Sequence, residues 1–258
     1  MAIAHMDNPT VPLDHDSKMN DSDPWAFLRA FGLPNVKWCE AQNPSWVIEP
    51  ANTWSNLAFV IAGLLMILWG RRAKSPWLRL YGPSMVLLGV FSGLYHASYT
   101  YLLQIADFVG MYLVLLCPLF FGIERLGVRI ERPFRSFALT TIGITILTVA
   151  LFAVGLPIQI LVALLAVAII GTEVRLWRRG ADTNRPFFFA GIAFLVVGET
   201  FSFLDVSRQF CHPEDHLIQG HAVHHVMVAL CFLFNFFYCR QIASEPTAST
   251  SREKKSRL

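Results

Sequence analysis

Charge is scarce in this chain. Asp, Glu, Lys and Arg supply 15% of its 258 residues while 54% are hydrophobic; soluble domains carry about a quarter charged residues. That shortage excludes one large water-soluble core, and recurring apolar runs point instead to a polytopic membrane protein. An inverted internal repeat, the mark of many transporters, is also missing. The formal charge of +3 calls for no nucleic-acid partner, because the basic residues have a topological explanation. The first 50 residues are polar and rich in Asp and Pro, with no secretory leader in front of the first apolar run. Of five cysteines, Cys117, Cys231 and Cys239 fall in or beside apolar runs, and Cys39 and Cys211 lie in polar segments.

Seven apolar helices are expected, at 52–70, 81–99, 103–123, 136–153, 156–176, 187–204 and 219–239, each close to the ~20 residues that cross a bilayer. Gly70, Pro76, Pro133, Gly155-Leu156-Pro157, Gly180 and Pro186 punctuate the joints. The run at 156–176, almost wholly Leu, Ile, Val and Ala, reads as scaffold. An odd number of spans puts the termini on opposite sides. Of the 21 basic residues, only Lys18, Arg29, Lys37 and Arg208 fall on the N-terminal side, and the other seventeen gather in the opposite loops and the C-terminal tail. The positive-inside rule then places the N-terminus outside or in a lumen and the C-terminus in the cytosol. The expected organisation is an extracytoplasmic segment at 1–50, a seven-helix all-α membrane domain at 51–240, and a cytosolic disordered tail at 241–258.

Polar residues inside such runs ask for a reason, since a charge at a helix centre costs roughly 2.5–3.5 kcal/mol on insertion scales. Ser92 and His96 stand at i and i+4 near the outer end of the second span, and Asp107 opens the third. His221 and His225, again i and i+4, open the seventh. The topology brings all five to a similar depth. Pairs at this spacing share a helix face, which suits two imidazoles on one metal. Zinc held by three imidazoles keeps a fourth position for an activated water, and a nearby carboxylate serves as acid/base.

The bland readings are that a lone His96 is an interfacial histidine and that Ser92 only packs between helices; the shared depth favours a site. His224 competes with His225, because i, i+3 also shares a face. His212 and His216 lie in a polar loop and read as solvated. Glu199 reads as a second-sphere partner for a ligating histidine, and Asp205 as a weaker candidate of that kind.

At these residues the chain resembles the alkaline ceramidases, within the superfamily of seven-span hydrolases that includes the progestin and adipoQ receptors. Ser92-x-x-x-His96, Asp107 and His221-x-x-x-His225 reproduce the pattern in order and spacing. Trp38-Cys39-Glu40, Glu49 and Asn52-Thr53-Trp54-Ser55-Asn56 form a second match, which separates the ceramidases from the receptors.

The resemblance implies that His96, His221 and His225 bind zinc. It makes Asp107 the acid/base residue, and Ser92 a group that binds the activated water or stabilises the oxyanion. The implied reaction splits the amide of ceramide, or a related N-acyl lipid, into sphingoid base and fatty acid in the membrane: the inner membrane of a bacterium, or the endoplasmic reticulum or Golgi of a eukaryote. It further implies a Cys39–Cys211 disulfide, which suits an oxidising side. A calcium site is also implied, from the Trp38 carbonyl, Glu40, Gln42 or Asn43, and Glu49. Lys37 stands where the family has Asp, and an adjacent ammonium opposes calcium.

Two competing readings are a receptor-like protein with a structural zinc and a coupled transporter using Asp107 and Glu199. The Trp38-to-Asn56 segments speak against the first. The clustering of the candidate polar residues at one end, with no obvious path across the other half, speaks against the second.

Overall fold

A computed structural model describes residues 23–181 and 185–244. The described residues contain nine helices and no strand: α1 (Ala26–Arg29), α2 (Pro50–Ser55), α3 (Leu57–Gly70), α4 (Pro76–Ser98), α5 (Tyr101–Arg125), α6 (Pro133–Ala153), α7 (Gln159–Arg178), α8 (Pro186–Val206) and α9 (Gly220–Ser244). Pro50, Pro76, Pro133 and Pro186 each sit at the first helical position, where the missing N–H would have had no partner in any case. Gly155 and Gly180, at φ +72° and +77°, close α6 and α7 in the left-handed conformation that ends helices.

Six helices are long and apolar enough to cross a membrane, with α2 and α3 counted as one, as a multi-pass membrane protein requires. The remaining long helix, α4, has the length at 23 residues but more polar sequence. It is largely buried, packed against α3 and α5, so its Ser, Tyr and His side chains face protein. Its start lies five residues before the expected 81, and Arg79, expected in a loop, belongs to its first turn. Leu, Ile, Val and Phe side chains on the outer faces of α3, α6, α7 and α8 stay exposed, among them Ile61, Ile146, Val167 and Val196. A belt of that kind would aggregate in water and suits lipid.

The core runs along α4 through Trp77, Tyr81 and Met85, against Met66, Leu116 and Phe236. Close approach of α3 and α4 depends on Gly63 and Gly82: a Cβ on either would fall 2.6–2.9 Å from backbone atoms of the other helix. The chain breaks at Asn56 between α2 and α3, so that α2 leans over the start of α9. At its far end α9 runs to Ser244, past the expected domain boundary at 240. The N-terminal residues 1–22 and the tail from 245 on, including most of the stretch expected to be disordered, lie outside the described residues.

Candidate metal centre

His96 sits in the last turns of α4, and His221 and His225 in the first turns of α9. One ring nitrogen from each lies within 4.8 Å of the others, and all three residues are buried. Ring centroids are 4.4 to 5.1 Å apart.

Each imidazole is fixed from behind. Glu49 Oε2 lies 2.6 Å from His96 Nδ1. The Glu49 N–H donates to the His96 carbonyl and the Ile48 N–H to that of Ala97, so backbone pairing holds the carboxylate in place. The opposite nitrogen, His96 Nε2, is buried with no hydrogen-bond partner. Ser55 Oγ lies 2.8 Å from His225 Nδ1 and Asn56 Nδ2 3.4 Å from it; the break after α2 puts both there. The His221 ring stacks on Trp38 at 3.4 Å and 16°, and Trp38 Nε1 donates to the Tyr95 hydroxyl.

Asp205, fully buried, accepts from the backbone N–H groups of Cys39 and His221 at 2.8 and 3.1 Å. It thereby ties the N-terminal segment to the start of α9. Gly220 allows this, since a Cβ there would sit 2.7 Å from the Phe201 carbonyl and 2.9 Å from Asp205 Cβ. A disulfide joins Cys39 to Cys211, and Ala41 donates to the Pro213 carbonyl, so the segment lies across the loop before α9.

Beside the histidines, Asp107 in the second turn of α5 is buried, with buried Ser92 of α4 as a neighbour. The turn between α4 and α5 is short, with Tyr99 left-handed at φ +51° and its hydroxyl bonded to the Val36 carbonyl.

The five residues picked out by spacing therefore occupy one end of the bundle, and two open choices find geometric answers. His225, not His224, joins the cluster; His224 stacks on the far side of His221 and points to Glu199, 3.8 Å from its Nδ1. Glu199 accordingly does not support a residue of the trio, whereas Asp205 holds the backbone of His221. His216 is not merely solvated: its Nδ1 lies 3.0 Å from Glu40 Oε1.

Of the residues considered for calcium, Glu40 has partners at both oxygens and Glu49 at one, its Oε1 being buried without a hydrogen bond. The Glu40 oxygens accept from the Ala51 and Asn52 amides at the start of α2. Glu49 Oε2 serves His96 and the Asn52 amide. Asn43 donates its backbone N–H to Ile48, and the Trp38 ring covers His221. Glu49 and Ser55 were legible only as family motif residues; their pairing with histidines 47 and 170 residues away leaves no local sequence signal.

Three buried imidazoles, one with an orphaned buried nitrogen and a carboxylate behind it, form a donor set that fits zinc. A search of curated proteins finds no matching sequence. The family model described as Ceramidase matches residues 34–257, from the Trp38 segment through α9. Ceramide hydrolysis is the activity this family implies, and the receptor-like reading is not favoured; the chain belongs to the ceramidase family.

Proposed function

We propose that this protein is a zinc-dependent amide hydrolase of the alkaline ceramidase type, cleaving ceramide or a related N-acyl lipid within the membrane. One observation carries the zinc reading: His96 Nε2 is buried and unpartnered and lies with nitrogens of His221 and His225, while Glu49 engages His96 Nδ1. An unpaired buried acceptor costs about 1–3 kcal/mol, which a bound metal removes. Zinc held by His96, His221 and His225 would supply Lewis acidity toward the amide carbonyl and activate a water.

The chain's own groups supply the rest. Glu49 and Ser55 fix the ring orientations of His96 and His225, and Trp38 and Asp205 fix His221. Asp107 takes the proton released by the attacking water at a carboxylate oxygen and returns it to the amide nitrogen as the C–N bond breaks. Ser92, buried beside Asp107, offers its hydroxyl to the developing oxyanion. The products are a free fatty acid and a long-chain amine. An apolar surround suits a two-chain substrate arriving from lipid.

The same reading includes seven spans, α4 among them, with the histidine end facing outside or a lumen. The seventeen-to-four split of basic residues along the sequence supports that orientation, and the disulfide at the histidine end agrees with it. Calcium is left out of the proposal, because both Glu40 oxygens are engaged by amides and His216.

The test is a product assay in detergent with ceramide, using the parent protein and Asp107→Asn, with metal content measured on both. The expected result is sphingoid base from the parent, a loss of roughly 10²–10⁴-fold in the variant, and unchanged zinc. Equal rates would remove Asp107 from its role, and no product from a zinc-loaded parent would overturn ceramide as substrate.

A further inference from the structure

Glu199 is in an unusual place. It lies seven residues before the end of α8, about 10 Å down the helix at 1.5 Å per residue. Its side chain is 62% exposed, on the face that also carries exposed Val196, Phe203 and Val206. The other acid of α8, Asp205, is buried and fully used. An acid on a lipid-facing surface is expensive and marks a function by default.

Inward of Glu199 stands His224, 18% exposed, with Nδ1 3.8 Å from Glu199 Oε1. That separation exceeds a hydrogen bond, and Nδ1 has no hydrogen-bond partner in the structure. The His224 ring stacks on His221 at 5.2 Å and 12°. Gly198 lets α8 come close here: a Cβ on it would meet Met227 Cβ at 3.1 Å and the His224 carbonyl at 3.4 Å. A polar strip thus leads from the buried trio, between α8 and α9, to one carboxylate on the apolar outer face.

We propose that Glu199, backed by His224, forms a lateral subsite for the head group of a single-chain lipid amine. An ammonium at this carboxylate donates to the Glu199 oxygens in charge-assisted hydrogen bonds, with the His224 ring behind it. The hydrocarbon tail runs along Val196 and Phe203. The inference rests on the hydrolase reading for its ligand, since amide cleavage next door releases a long-chain amine. It adds an asymmetry between the products: the carboxylate of Glu199 attracts the amine and repels the fatty acid. The intact amide, being neutral, gains neither interaction.

The test is direct binding to the full-length zinc-loaded protein in nonionic detergent, with sphingosine and its neutral N-acetyl derivative as probes. The parent should bind the amine at least tenfold more tightly than the acetylated probe. Glu199→Gln should lose that preference, and Glu199→Asp should keep part of it, with zinc content and thermal melting unchanged in both. No amine preference in the parent, or a full preference in Glu199→Gln, overturns the subsite. Ceramide cleavage measured on the same preparations separates the two readings. Cleavage without amine preference removes the subsite and leaves the hydrolase standing; a preference that depends on Glu199 without cleavage does the reverse.

Discussion

Two buried polar clusters sit at opposite ends of this bundle, and they are built to different rules. At the end away from the histidines, Glu173 accepts from Arg125 Nη1 at 2.6 Å and from the Tyr238 hydroxyl at 2.5 Å. Arg125 also lies over the Phe121 and Tyr238 rings, and Trp77 Nε1 donates to Glu124 at 2.7 Å. None of these residues has a buried polar atom lacking a hydrogen bond. At the histidine end, by contrast, His96 Nε2, His221 Nδ1 and Glu49 Oε1 all lack one. A saturated network locks helices together, whereas an unsaturated one held rigidly from behind is prepared for something else to bind.

The sharpest way to break the contrast is to remove one member from each end. His96→Ala should reduce bound zinc from one per chain to near zero and abolish hydrolysis, read by elemental analysis and product assay. Glu173→Gln should do the opposite: it strands Arg125, destabilises the fold by about 3–5 kcal/mol, and leaves zinc per folded chain unchanged. Loss of zinc in Glu173→Gln, with the fold intact, would show that the two ends are not independent. Glu49→Gln keeps a hydrogen-bonding side chain but weakens the support of His96. Zinc affinity should fall by about 10–100-fold, as other second-sphere substitutions do, measured by chelator competition. The smallest change expected is Ser55→Ala, which removes one neutral hydrogen bond to His225. Its effect is about 0.5–1.5 kcal/mol, seen as a zinc affinity within roughly tenfold of the parent.

The same contrast explains what could be read from the chain. Helical spacing exposed Ser92 with His96 and His221 with His225, because both members of each pair sit on one helix, and apolar runs located most of the spans. Partnerships between distant segments were not legible. Nothing near Glu49 says that its carboxylate faces His96, and as an acid in a polar segment it fitted an oxygen-ligated metal equally well. His224 and His225 are adjacent and chemically identical; the packing of α8 decides between them by placing Glu199 beside one. Glu199 looked the better support for a ligand than Asp205 because it lies deeper in an apolar run. The rotation of α8 reverses that order, turning Glu199 outward and Asp205 in. Arg79 went with a loop because charge suggested the water boundary, although Pro76 had already started the helix.

The histidines also have an order in time. His96 and its carboxylate come early in the chain, His221 and His225 open the final helix, and the Cys39–Cys211 link spans 172 residues. A ribosome that stalls before residue 211 leaves a nascent chain with one of the three histidines and a thiol without its mate. If the trio holds zinc as proposed, metal capture is a finishing step in biogenesis, and an apo-protein pool measures completed insertion that has outrun the local supply of zinc.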